Sequence, residues 1–577
     1  PNNLKNDDIN EDNILKILIA SDIHLGYEQT IKRTQENDSF LVFEEILQYA
    51  KSYEVDFILL GGDLFHEAKP PPNVITQCIN LLRSYCLSDK SVKIQLLTDP
   101  KLVFNHCNNK NVNYEDPNIN VGIPVFTIHG NHDDPSFGAI GSLDLLAATG
   151  FVNYFGKWTD VTQVSIAPIL ISKGITTVAL YGLSYMNDQR LSRLMRNEKF
   201  HMLRTNEIQD PFNIFILHQN RAPHSYNSFI PENLLPDFLD LVIWGHEHEC
   251  LIIPEESKLN RNIHICQPGS SIATSLTLGE AMPKHVGILS IYKNKYQMEP
   301  LKLKTVRPFV FEDLVLNDYN NEITIFKSRT EAVEEFIDNY IENKLISKVA
   351  KLQTGHQNQP EIPLIRLRIF YSDDHDMFQT LRLSQKYYHV VANPNDIIVF
   401  HKCSSKLRKK DIQKFENLEL NEITKIFNFD NNTKDWKRSI QGGMTDYFNE
   451  HDRINKLTVL SLTGLNGALL RFVNTNDTKA FHDLVRHQMK KTLNYLIQNS
   501  YNDKKEVVKA IQDYRNIRMQ KKQEEKMEEQ SFFNARCDMV VKSIKNDSLS
   551  DNNKDNFTLL RGKGRRQGTN KRNHSKI

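Results

Sequence analysis

The sequence predicts a layered α/β fold with a helical extension at its C-terminal end. Two observations carry the fold class. From residue 14 to about 304, short apolar runs alternate with helical patterns, the rhythm of a layered sheet domain. Five of those runs end directly on an Asp, His or Asn, and the crevice beyond strand ends is where α/β sheets bind ligands. A third observation sets the scale: 577 residues exceed one ordinary domain and suggest about three units.

Residues 1–13 are polar and expected to be disordered. The unit at 14–304 follows. Residues 87–121 interrupt it with a stretch rich in Asn, Asp and Lys, ending NHCNNKNVNYEDPNIN, which reads as a long insertion loop. A helix over 73–87 places Val74, Cys78, Leu81, Leu82 and Tyr85 on one face. A second unit spans 305–402. Its helix around 330–349 repeats Val333, Phe336, Ile337, Tyr340, Ile341 and Leu345, and strand-like runs follow at IPLIRLRIFY and DIIVF; all read as core. Residues 403–437 are charged and Asn-rich, a linker. The third unit, 438–500, is helical, with Leu465, Leu469 and Phe472 on one face and Leu484, Val485, Gln488, Met489, Leu493 and Leu496 on another. Two or three helices cannot bury such faces without a partner or dense packing. Residues 501–577 hold a Lys/Glu-rich helix and then a tail expected to be disordered, whose last stretch, RGKGRRQGTNKRNHSKI, has seven basic residues and no acid.

Composition narrows the class. Apolar residues make up 40% and charged residues 25%, as in soluble globular proteins. With 72 basic and 71 acidic residues the whole-chain field is nearly neutral, so an anionic partner must be met by local patches. The absence of an apolar run of about 18 residues excludes a transmembrane helix. The first residues lack the form of a signal peptide, and without an initiator Met the chain is expected to begin inside a longer one. Seven scattered cysteines without a CxxC suggest neither a disulfide framework nor a sulfur-rich zinc site, and point to a reducing compartment.

The chemistry lies in the five strand ends. KILIASDIHLG supplies Asp22 and His24, and VDFILLGGDLFH supplies Asp63 and His66. IPVFTIHGNHDDP supplies Asn131 and His132, FNIFILHQNR supplies His218, and LVIWGHEHEC supplies His246 and His248. Asp and His together without Cys suit Mn, Fe or Zn. So many candidate ligands exceed the need of one ion; two ions about 3.5–4 Å apart, sharing a carboxylate, would use them. Asp63 is the natural bridge, because the GG turn before it lets backbone approach closely. Gly130 and Gly245 serve similarly before Asn131 and His246. Each motif alone occurs by chance, and a lone HQN is more often an ordinary loop. All five in order, each on an apolar strand, define a dinuclear metal site.

This order (D-x-H, G-D, G-N-H-D, H, G-H-x-H) resembles the signature of the calcineurin-like metallophosphoesterases. GGDLFHEAKP, PVFTIHGNHDDP, FILHQNR, VIWGHEHEC and QPGSSIATSL resemble, more narrowly, the Mre-eleven (meiotic recombination eleven) family of double-strand-break-repair nucleases, eukaryotic type. LRLSQKYYHVVANPNDII looks like that family's DNA-capping domain, and residues 440–499 like its docking site for a coiled-coil ATPase of the Rad-fifty class. The likeness covers about 14–499. It implies a two-sheet β-sandwich flanked by helices, a small α+β capping domain and a C-terminal helical partner-binding segment. It also implies two manganese ions per chain, one held by Asp22, His24, Asp63 and His248, the other by Asp63, Asn131, His218 and His246. His132 looks like the family's transition-state-stabilising and leaving-group-protonating histidine, with a structural turn residue as the alternative. His66 looks like its accessory histidine for exonuclease work.

The implied activity is 3′-to-5′ exonuclease on double strands and endonuclease on single strands, processing and tethering broken DNA ends in the nucleus. Serine/threonine phosphatases of the superfamily carry an Arg-containing GDxVDRG, and a GNHE; the equivalents here, GGDLFHE and GNHDD, contain no Arg. A phosphatase or nucleotidase, or a DNA-end scaffold, are the competing classes. The resemblance also implies a homodimer seam at Val74, Cys78, Leu81, Leu82 and Tyr85, joined by the helix near 142–148, where core packing is the alternative. It likens 87–121 to a latching loop for a Nibrin/Xrs-class subunit. Arg366, Arg368, Arg382 and Lys386 are expected to meet DNA phosphate, against a plain solvated face. Leu465, Leu469, Phe472, Leu484, Met489 and Leu493 are expected to meet the ATPase. The basic tail reads as a DNA contact, a nuclear address or neither.

Overall fold

The computed structural model describes residues 10–28, 34–107, 109–136, 139–204, 210–222, 229–259, 262–323, 328–402, 459–475, 480–498, 504–521, 524 and 527. Two sheets dominate. The first has six strands, in the order Lys295–Lys302, His285–Tyr292, Leu15–Ala20, Phe57–Leu60, Val125–Thr127, Asn153–Tyr154. The second has seven, in the order Leu251–Glu256, His264–Gln267, Leu241–Gly245, Phe212–His218, Thr176–Leu183, Ile169–Lys173, Gln95–Leu96. The central strands are nearly continuous apolar runs because both of their faces are buried. Leu15, Ile17 and Ile19 point between the sheets, beside Phe57, Leu59, Ile214, Ile216 and Ile243. Leu18 and Ala20 point the other way, onto the helices Asp38–Ser52 and Pro72–Cys86. Phe215, Leu217, Val242 and Trp244 line the outer face of the second sheet.

The central strands are parallel: Leu15–Ala20 with Phe57–Leu60, that strand with Val125–Thr127, and Phe212–His218 with Leu241–Gly245. Parallel strands end on the same side, so each sheet delivers its strand ends to one edge.

Three expectations change. Residues 10–13 are not disordered: they form a 3-10 turn capped by Asn10, and Asn13 accepts hydrogen bonds from Ile175 N and Thr176 Oγ1. Residues 87–121 are not a loop throughout. Gln95–Leu96 adds an edge strand to the second sheet, and Ile94, Phe104 and Val112 pack into the core between the sheets. The ends of the insertion meet at a Leu87–Val121 bridge, so the excursion closes on itself. On the helix Pro72–Cys86, Val74, Cys78 and Leu82 are fully buried against the first sheet, and Leu81 and Tyr85 are partly buried there. Core packing therefore claims Val74, Cys78 and Leu82 of the face offered as a dimer seam, because the sheet takes the middle of the helix's apolar stripe and leaves Leu81 and Tyr85 at its margin.

Beyond residue 304 a three-stranded parallel sheet, Phe309–Val315, Leu364–Tyr371 and Ile398–Lys402, packs on the helices Arg329–Tyr340 and Ile346–Leu352, which a π turn joins at Ile341–Leu345. Arg307 ties this unit to the first through a two-point pair with Asp38 (2.6 and 2.8 Å). Glu45 adds to the joint by accepting from Lys304 N, Thr305 N and Thr305 Oγ1. Further along lie the helices Leu462–Thr475, Ala480–Ile497 and Lys504–Gln520. The proposed linker, residues 438–458 and the basic tail fall outside the described residues. Among the described residues no helix is long and apolar enough to cross a membrane.

Candidate metal centre

Asp22, Asp63, Asn131, His218 and His246 follow or end the parallel central strands, so the two sheets bring them together at one edge. The turns that aim them are tight. Asp22, His24, Asp63 and His246 all adopt positive φ (52°, 52°, 50° and 84°), a region that costs non-glycine residues energy and persists where surroundings enforce it. A Cβ on Gly130 would lie 2.1 Å from Asp63 Oδ1 and 2.6 Å from His218 Nε2, so only glycine lets this backbone pass. Asp133 clamps the same region: its two oxygens accept from Gly130 N, Leu64 N and Phe65 N, stapling GNHDD to GGDLF.

Two groups of donors result. Asp22, His24 and His248 form one, Asp63, His218 and His246 the other. Asn131 joins the second, with Oδ1 2.8 Å from His246 Nδ1 and 3.2 Å from His218 Nε2. Asp63 Oδ2 faces both groups, 3.3 Å from His218 Nε2 and 3.9 Å from His24 Nε2. Asp22 Oδ1 lies 3.6 Å from His248 Nε2 and 3.9 Å from His218 Nε2. Among the described residues, these two buried oxygens have no well-aligned hydrogen-bond donor. Two buried carboxylate oxygens without a well-aligned donor, ringed by imidazole nitrogens, make a donor set that fits divalent cations.

The charges agree. Burial alone would raise Asp22, but His218, His248 and His24 hold it far below the usual carboxylate range. Asp63 falls to about 2 against burial, through His218 and His24. Burial opposes protonation of His218 and His248, yet the carboxylates raise them to about 9 and 10. Burial wins at His24, lowered to about 3, and at His246, lowered to about 4. The two carboxylates thus draw protons onto two of the imidazoles, and a divalent cation would displace them. Hydrogen bonding fixes the rings: His218 Nδ1 donates to Gly61 O at 2.8 Å, so Nε2 faces the carboxylates. His248 Nδ1 pairs with Glu280 Oε1 at 2.8 Å.

His132 sits on the rim. Its Nδ1 donates to His66 O at 2.8 Å and its ring stacks on His66 with centroids 4.7 Å apart. His24, His66 and His132 form a third cluster of nitrogens. Glu280 escaped the sequence reading: it is buried, it orients His248, and it also accepts from Ser270, Thr274 and Lys284. No spacing pattern announces it, because it arrives on a 3-10 turn between strands. Asp133 and Asn220 were inside quoted motifs, yet their roles appear only when two loops face each other.

The proposed DNA contacts divide. Arg368 makes a two-point pair with Asp313 (2.7 and 2.9 Å) and lies over Phe311 and Phe370. Lys386 is held by Asp338 and Glu342, and Arg366 donates to Asp396 O. The unit's own carboxylates and carbonyls thus engage three of the four. Arg382 differs: its side chain is 86% exposed, with Glu334 4.0 Å away. In the C-terminal helices Leu484 is buried against Ala468 and Ala480, and Leu465 packs there, so Leu484 is corrected to core. Leu469 is half-buried, and the side chain of Phe472 falls outside the described residues. Met489 and Leu493 are 58% and 56% exposed on the other face of their helix.

The fold and this edge of buried Asp, His and Asn define a calcineurin-like phosphoesterase, and the family model of that description matches residues 15–250. A second model, "Mre11 DNA-binding presumed domain", matches 296–472. The chain is 41% identical to the human double-strand break repair protein MRE11 over 494 residues, 85% of this chain and 68% of that protein. It is 38% identical to the Gallus gallus protein of that name over 521 residues (89% and 73%), and 40% identical to the Arabidopsis thaliana one over 501 residues (84% and 65%). The chain belongs to the MRE11 family of double-strand break repair nucleases, metal-dependent phosphodiesterases with a DNA-binding domain.

Proposed function

We propose that the chain is a manganese-dependent nuclease acting on broken DNA, with 3′-to-5′ exonuclease activity on double strands and endonuclease activity on single strands. The observation behind this reading is the pair of buried carboxylate oxygens without a well-aligned donor, Asp22 Oδ1 and Asp63 Oδ2, facing imidazole nitrogens at 3.3–4.0 Å. In this reading Asp22, His24, Asp63 and His248 hold one Mn²⁺, and Asp63, Asn131, His218 and His246 hold the other. Such a pair supplies Lewis acidity on the phosphate oxygens and a bound water of lowered pKa. The imidazolium form of His132, its Nδ1 hydrogen committed to His66 O, would give its Nε2 hydrogen to the departing sugar oxygen. His66, stacked on it and in edge contact with Tyr27, keeps that ring in place and helps seat the phosphodiester.

The full assembly in this reading is a nuclear complex with a Rad-fifty-class coiled-coil ATPase, a Nibrin/Xrs-class subunit and a second copy of the chain. The exposed Met489 and Leu493 favour the first of these: an apolar face that its own helices leave uncovered fits helix-in-groove docking. The test is cleavage of duplex and single-stranded DNA with added manganese, beside dephosphorylation of a phosphopeptide. Peptide turnover without DNA cleavage would overturn the nuclease reading.

A further inference from the structure

His246 meets two amide oxygens, Asn131 Oδ1 at Nδ1 (2.8 Å) and Asn220 Oδ1 at Nε2 (2.9 Å). A neutral imidazole carries one hydrogen, so it can donate to only one of them. Both amides present an oxygen, so the hydrogen goes to the one that is held in place, and the question is whether Asn220 can turn its amide over. It cannot, because Asp188 holds it. Asn220 Nδ2 donates to Asp188 Oδ2 at 2.8 Å, and Asn220 N donates to Asp188 Oδ1 at 3.1 Å.

The chain of constraint ends on backbone. Gln219 Nε2 also donates to Asp188 Oδ1, at 2.8 Å. The Gln219 amide is itself pinned, accepting from Met186 N (2.9 Å) and donating to Met186 O (2.7 Å). Backbone atoms have no alternative orientation, so every donor and acceptor from Met186 to His246 is fixed. Asp188 thus receives three donors, and it is buried, as is Gln219.

We infer that Asp188 is a positioning residue for the metal centre: through Asn220 it puts the His246 hydrogen on Nε2 and leaves the Nδ1 lone pair for a divalent cation shared with Asn131 Oδ1. The inference rests on the proposed reading of His246 as a ligand. It explains why a carboxylate sits at the start of the helix Asp188–Arg196, away from the five motifs. Outer partners that set a ligand's tautomer typically change metal affinity by about 10–100-fold when removed.

The telling variant is Asp188→Asn, which keeps shape and volume. If its new Oδ1 stays on Gln219 and Asn220 N, its new NH₂ replaces Oδ2 and must donate. Asn220 then turns over, presents its own NH₂ to His246 Nε2, and forces the histidine hydrogen onto Nδ1. Asn220→Ala, a truncation, only frees the tautomer. Manganese titration of the metal-stripped full chain should therefore show two ions for the unmodified protein. Asp188→Asn should lose about 10–100-fold in affinity for one ion, and Asn220→Ala should lose less. A merely structural role predicts the opposite ranking, with the isosteric change milder than the truncation. Circular dichroism identifies any folding failure of Asp188→Asn. In that event the truncation decides, and unchanged affinity in Asn220→Ala overturns the inference. Two ions bound at unmodified affinity by folded Asp188→Asn also overturn it. An unmodified chain that binds no manganese overturns the metal reading as well, which separates the two failures.

Discussion

At the scale of residues, the centre separates holding metal from moving protons. His132 sits between Asn131 and the Asp133 clamp, and its ring is tied to His66 O and not to either carboxylate. His132→Asn should therefore bind manganese as before while cleavage falls by about 10²–10⁴-fold, the range for loss of a general acid. Titrated metal content measured beside DNA turnover decides it, and near-normal turnover would make His132 a turn residue only. Asp63 faces both donor groups, whereas His248 belongs to one. Asp63→Asn should lose both ions and His248→Ala mainly one, read by metal analysis after dialysis. A single loss in both variants would remove Asp63 as the bridge.

At the scale of elements, packing decided which faces remain for partners. Periodicity alone put Val74, Cys78 and Leu82 together, as it put Leu484 with Met489 and Leu493. A helix presents its apolar stripe without saying what covers it. The first sheet covers the former; a neighbouring helix covers Leu484 but leaves Met489 and Leu493 in solvent. Replacing Met489 and Leu493 with Asp should abolish association with the coiled-coil ATPase while manganese-dependent cleavage of short DNA by the isolated chain continues. Retained association in a pull-down would sink the docking assignment. The cations of the capping unit divide in the same way. Arg382→Glu should weaken DNA binding and leave thermal stability unchanged. Arg368→Ala should cost about 1.5–3 kcal/mol of stability, because it strands Asp313 without its charged donor. Equal DNA-binding losses with unchanged melting for both would overturn this division.

At the scale of the whole molecule, metal binding and protonation are linked. Burial works against protonated His218 and His248, but the carboxylates beside them carry their values up to about 9 and 10. At neutral pH a cation must displace those protons, so protons compete with metal. Apparent manganese affinity should rise from pH 7 through 9 and level off only above about 10, where both histidines are deprotonated unaided. Calorimetry in buffers of different ionisation enthalpy should detect proton release on binding. A pH-independent affinity with no proton release would mean that the histidines are neutral before metal arrives.

The sequence by itself determined the layered α/β class, the five strand ends and the ligand types on them. It could do so because each motif is local: an apolar run buried on both faces, a turn that needs glycine, and a polar residue immediately after. The Gly130 and Gly62 turns were legible for that reason, since steric exclusion acts within a few residues. Tertiary structure alone decided that two sheets would deliver these ends to one edge. It brought Glu280 beneath His248 and Asp188 behind Asn220, and it gave Val74, Cys78 and Leu82 of the helix Pro72–Cys86 to the core. Those outcomes depend on hydrogen bonds and packing between segments far apart in the chain, and no period or spacing within one segment encodes which distant surface will meet it.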